Sequence, residues 1–154
     1  MVEAEDAPEE LTFVFEVCYN CKAHGWNTRH DEAKYQMFFE ATSMAIQTMV
    51  PNGNCTMNLV PKAWFKKKIY NKLIRCENES MPFYDMNPRV GAFEISTVID
   101  GVAIIFYSKL KSNVWPKPDV VAQKLWLFSQ ERHVRKKTGR ELRAKYELSG
   151  VYDM

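Results

Sequence analysis

Leu11-Thr-Phe-Val-Phe-Glu-Val17 runs without a break into Cys18-Tyr-Asn-Cys21. The first seven residues are rich in aromatic and β-branched side chains and alternate in part, which predicts a strand. Cys18 and Cys21 stand at i and i+3, so their sulfurs can approach to the geometry of a small-ring disulfide. In such a pair one thiolate attacks and the other resolves the mixed disulfide.

Working outward, Thr28 with Asp31 resembles a capping box, and Tyr35, Phe38, Phe39, Thr42, Ala45, Ile46 and Met49 recur at helical spacing. Met37, Met44 and Met49 are expected to pack in the core of that helix. Pro51-Asn-Gly53 ends it, and Asn54–Val60 predicts a second strand. Residues 61–88 form an excursion between core strands. Gly91–Val98 and Val102–Tyr107 flank Asp100-Gly101, a dipeptide suited to a tight hairpin turn. Pro116 and Pro118 lead a helix through Phe128. Thr138-Gly139 breaks it, and a last basic helix follows over Arg140–Leu148. The order predicts an α+β fold, a layered α/β sandwich with a β-α-β-β-β-α core, an insertion and an extra C-terminal helix. Three parts are expected: an acidic arm over 1–10, the domain over 11–128 with its insertion at about 61–88, and a basic helical extension over 129–154.

A strand ending in Cys-x-x-Cys, then helix, strand, hairpin and helix, is the thioredoxin-like order. The chain resembles the selenoprotein W/T/H (Rdx) family of thioredoxin-like proteins, in a cysteine-containing form with an insertion and terminal extensions. The residues that carry the resemblance are Cys18-x-x-Cys21, Pro88-Arg-Val-Gly91-Ala-Phe-Glu-Ile95, Asp100-Gly101, Ile105-Phe-Tyr-Ser108-Lys-Leu110 and Trp115-Pro116. They span roughly 11–128. The resemblance implies thiol–disulfide redox chemistry, or a redox-responsive adaptor, with Cys21 the reactive thiol, Cys18 the resolving one and no cofactor. The segment from Cys21 to Pro51 is longer than a compact member needs, and the excursion at 61–88 is additional.

Composition sets the remaining bounds. The 154 residues carry a net charge of +2, and 46% are hydrophobic, enough for a packed core. The longest apolar runs fall far short of the roughly 18 residues of a membrane span. The acidic start has no leader-like apolar stretch, so a cytoplasmic place is expected, with a cytoskeletal or ciliary assembly as the alternative. Six glycines and no phosphate-cradling loop argue against a nucleotide site. Cys18, Cys21, His24 and His30 form a cramped zinc set, the one metal alternative. Cys55 and Cys76 read as buried thiols.

Charge is unevenly laid out. Glu3, Glu5, Asp6, Glu9 and Glu10 crowd the start, whereas Arg132, Arg135, Lys136, Lys137, Arg140, Arg143 and Lys145 crowd the end. No nucleic-acid-binding signature accompanies the basic run, so protein partners are the expectation. Trp64-Phe65 in a basic setting and the 129–154 segment are the candidate contacts with a large assembly. The second functional class is therefore a non-catalytic structural or interaction subunit on the same fold.

Overall fold

The computed structural model describes residues 7–18, 31–64, 74–75 and 81–148. In chain order these form β1 (Leu11–Val17), α1 (Glu32–Met49), β2 (Gly53–Met57), β3 (Leu59–Pro61), a 3-10 turn at Lys62–Trp64, β4 (Ile74–Arg75) and β5 (Phe83–Met86). Then follow β6 (Phe93–Ile99), β7 (Val102–Ser108), the single turn α2 (Lys109–Ser112), α3 (Pro118–His133) and α4 (Gly139–Tyr146). The result is mixed α+β, with four helices among the described residues.

The main sheet has the order β2-β1-β6-β7. β1 is parallel to β2, with Phe15 opposite Met57, and antiparallel to β6, with Phe15 opposite Ile95. β6 and β7 form the antiparallel hairpin expected at Asp100-Gly101. Both turn residues take positive φ (50° and 76°), as a two-residue hairpin turn of this hand requires.

The period of two along β1 sorts its side chains into two layers. Leu11, Phe13, Phe15 and Val17 enter the main core with Ile46 of α1 and Leu125 and Phe128 of α3. Rings meet edge to face there: Phe13 with Phe106 at 5.9 Å, and Phe106 with Phe128 at 4.9 Å between centroids. Val14 points the other way, into a small second core with Val60 and Met86. That second core belongs to a separate sheet of order β3-β5-β4, which the 61–88 excursion builds largely from its own residues.

Two expectations about elements change. The strand expected over Asn54–Val60 divides at Asn58, which takes the left-handed region at φ 57° and turns the chain from one sheet into the other. The methionines of α1 are not core residues. Met37, Met44 and Met49 are 55%, 69% and 38% exposed. Met37 and Met44 each follow a buried residue (Tyr35, Thr42) by two positions, which is roughly 200° around a helix. The helix itself starts at Glu32, capped by the Asp31 carboxylate, which accepts from the Ala33 and Lys34 N–H groups.

α3 continues past Phe128 to His133, and α4 shares the main core through Leu142 and Tyr146. After α4, the Leu148 N–H donates to the Ile105 carbonyl at 2.9 Å and covers the free edge of β7. Arg132 ties three regions together: its guanidinium bonds Glu9, both carboxylate oxygens of Asp100, and the Lys137 carbonyl. No helix among the described residues is long and apolar enough to cross a membrane.

Candidate functional site

Because β1 and β2 are parallel and joined through α1, the first turn of α1 lies at the end of the sheet where β1 finishes. Cys18 is the residue after that finish. It is 2% exposed, belongs to the main core, and its N–H donates to the Ala92 carbonyl at 2.8 Å. The residue before it is held from the opposite side. The Asn58 side chain accepts the Val17 N–H at 2.8 Å and donates to the Val17 carbonyl at 2.9 Å, so an amide side chain substitutes for a further strand residue. Cys18 is thus fixed on both flanks of the central strand.

Beneath this end, on the face turned from α1 and α3, lies a buried polar row. Glu16 and Glu94 are direct neighbours across β1 and β6 and are 4% and 8% exposed. Glu16 accepts from the Arg89 backbone N–H at 2.7 Å and from its guanidinium at 2.9 and 2.8 Å. Glu94 accepts from the Ser108 hydroxyl, the Lys109 N–H at 2.8 Å and the Leu110 N–H at 3.2 Å. Two adjacent buried carboxylates are tolerated because each has donors in place. The hydrogen bonds to Glu16 hold the Arg89 guanidinium above its ordinary pKa. The row therefore fastens the chain on both sides of the β1 terminus.

On the helix side the same end is aromatic and basic. Trp115 stacks on Phe38, with centroids 4.3 Å apart and planes 12° apart, and meets Tyr35 and Phe93 edge to face. Lys109 donates to the Tyr35 hydroxyl at 3.2 Å.

Of the thiol pair and the zinc set read from the sequence, Cys18 alone falls within the described residues; Cys21, His24 and His30 lie outside them, as do Phe65 and Cys76. Among the described residues no cluster of three or more His, Cys, Asp or Glu side chains is placed to hold a metal. Cys55 is half-buried in β2, and desolvation pushes its thiol pKa up to about 12. Trp64 packs against the second core of Val14, Val60 and Met86.

Sequence reasoning missed Asn58 and the Glu16–Arg89–Glu94 row. The single Glu in an otherwise apolar strand, Val14-Phe-Glu16-Val, was the available signal for the row. Asn58 carried none beyond interrupting an apolar alternation. Comparison of the chain with protein-family models, with curated proteins and with solved structures gave no match in any of the three.

Proposed function

We propose that this is a thioredoxin-like domain of the selenoprotein W type that exchanges thiols and disulfides through Cys18 and Cys21. The observation that carries the reading is the placement of Cys18. It sits buried, at the end of the central strand of a β2-β1-β6-β7 sheet, beside the start of the helix that follows. The strand order, the parallel β1–β2 pair and the antiparallel β6–β7 hairpin are compatible with a thioredoxin-like core and support the fold proposed. A thiol buried to 2% exposure cannot meet a large substrate but can meet its neighbour in a Cys-x-x-Cys loop. This supports Cys18 as the resolving thiol and Cys21 as the attacking one.

The chemistry then runs in two displacements. The Cys21 thiolate attacks one sulfur of a substrate disulfide, forms a mixed disulfide and expels the other sulfur as a thiolate, which takes up a proton. Cys18 gives up its proton and attacks the Cys21 sulfur, releasing the second substrate thiolate. The protein leaves oxidised, two electrons having passed to the substrate, and a second dithiol protein or a small thiol reduces it for the next cycle.

The test is a disulfide-reduction assay on the purified chain with dithiothreitol as the final reductant. Cys21→Ser abolishes turnover, and Cys18→Ser mixed with the substrate disulfide in the absence of dithiothreitol leaves a trapped mixed disulfide on Cys21. Retained turnover in Cys21→Ser contradicts the reading. A second reading, an interaction subunit without catalysis, draws support from the exposed apolar residues Met37 and Met44 on α1, Leu127 on α3 and Val134 just after it. A cytoplasmic location belongs with either reading.

A further inference from the structure

Trp115 collects two cations. Lys34 Nζ lies 5.5 Å, and Lys109 Nζ 4.9 Å, from the centre of its ring. Neither ammonium group is within 4.0 Å of a carboxylate among the described residues. Phe38 covers one face of the indole, so the lysines share what remains of it. Two like charges gathered on one ring repel each other, and an anion placed between them would relieve that repulsion.

Trp115 also lines an apolar hollow of about 200 Å³, together with Tyr107, Val114, Pro116, Lys117 and Val120. Val114 is 61% and Val120 43% exposed, so this part of the lining is open to solvent. Its floor is set before any ligand arrives. The Tyr107 hydroxyl bonds the Val114 carbonyl, the Ser112 hydroxyl accepts the Val114 N–H at 3.2 Å, and Asn113 turns the chain at φ 62°. A preformed floor removes an ordering cost from binding.

We propose that this surface docks an extended acidic segment of a partner protein. One apolar side chain of the segment enters the hollow between Val114 and Val120, and its flanking carboxylates meet Lys34, Lys109 and Lys117. Charge selects the partner: two lysines over Trp115 and a third in the lining of the hollow that Trp115 shares repel a basic chain and attract an acidic one. The hollow selects a protein over a bare anion, because a phosphate or sulfate would leave Val114 and Val120 unused. The surface works through side chains other than the cysteines, and so stands or falls apart from the thiol reading.

The experiment is fluorescence anisotropy on the full chain with a labelled Glu-Glu-Leu-Glu-Glu peptide, alongside Lys-Lys-Leu-Lys-Lys and an oligothymidylate of matched charge. The acidic peptide binds saturably and weakens between about 0.05 M and about 0.5 M salt. The pair Lys34→Gln and Lys109→Gln weakens it by about tenfold, whereas Arg140→Gln, at an exposed position of α4, does not. Val120→Asp, a change at an exposed position, removes binding without unfolding the chain, as circular dichroism checks. Absence of saturable binding up to about 1 mM, equal binding of the basic peptide, or an unchanged affinity in the double lysine variant overturns the proposal. Tighter binding of the oligothymidylate at the same lysines overturns it as well.

Discussion

Cys55 stands in β2, apart from the Cys18–Cys21 pair, and desolvation there sets its reactivity. Desolvation disfavours the thiolate, and the pKa rises from 9.0 to about 12. The thiolate fraction at neutral pH falls in proportion, and with it the rate of alkylation. Mass spectrometry after iodoacetamide treatment of the native chain at pH 7.5 is expected to find Cys55 unmodified while Cys21 reacts. Comparable labelling of both would show that β2 does not shield the sulfur. Asn58 shows why part of the site could not be read from sequence. Its value lies in a left-handed backbone and in two bonds to Val17, a residue 41 positions away. Neither property leaves a local pattern. Cys18 and Cys21, by contrast, announce themselves by spacing.

Among the elements, α4 gives the sharpest test. Thr138 and Glu141 close a reciprocal capping box at its start, with the Thr138 hydroxyl accepting the Glu141 N–H at 3.2 Å and the Glu141 carboxylate accepting the Thr138 N–H at 2.9 Å. Gly139 follows, and a Cβ built there would lie 2.2 Å from the backbone oxygen of Ile99. Alanine in a helix ordinarily stabilises relative to glycine by about 1 kcal/mol. Here the sign reverses, because the hairpin backbone and α4 must separate to admit the methyl group. Gly139→Ala is expected to destabilise by about 2 kcal/mol or more in urea unfolding. A neutral or stabilising result would mean that α4 docks less closely on the β6–β7 turn than described. Thr138-Gly139 was legible as the break between two helices, and Asp100-Gly101 as the hairpin. That the two turns touch, with the Gly139 N–H donating to Asp100 at 2.9 Å, was not legible, since nothing local encodes a contact across 39 residues.

At the largest scale the described residues form three layers: helices α1 and α3, the four-stranded sheet, and the small sheet over its other face. Strand and helix order followed from periodicity and turn residues. The third layer did not, because residues 61–88 mix lysines, aromatics and prolines without a period. The expected division at 128 falls inside α3, since the helix pattern faded where its inward residues became polar: Ser129 and Glu131 are 5% and 7% exposed. The charged groups of this assembly set its pH range. The bonds from Arg132 and the Gly139 N–H lower the Asp100 pKa, and the Tyr146 hydroxyl and Lys145 lower that of Glu131, from ordinary values of 3.8 and 4.5. Carboxylates held below their unfolded pKa contribute stability above it, and that stability is lost as pH falls. Burial raises the pKa of Cys55, Tyr107 and Tyr146 from ordinary values of 9.0, 10.0 and 10.0. Their share is intact below the unfolded values and is lost as pH rises past them. Urea midpoints are therefore expected to hold between about pH 5 and about pH 9 and to fall on both sides. A midpoint still level at about pH 11 would contradict the burial of these groups.

The redox midpoint of the Cys18–Cys21 pair bears most directly on the proposed activity, read by alkylation and mass spectrometry of the purified chain across a dithiothreitol series. A reversible two-electron transition between roughly −180 and −300 mV is the predicted result. Failure of Cys18 and Cys21 to form an intramolecular disulfide at any poise would contradict the thiol-exchange account.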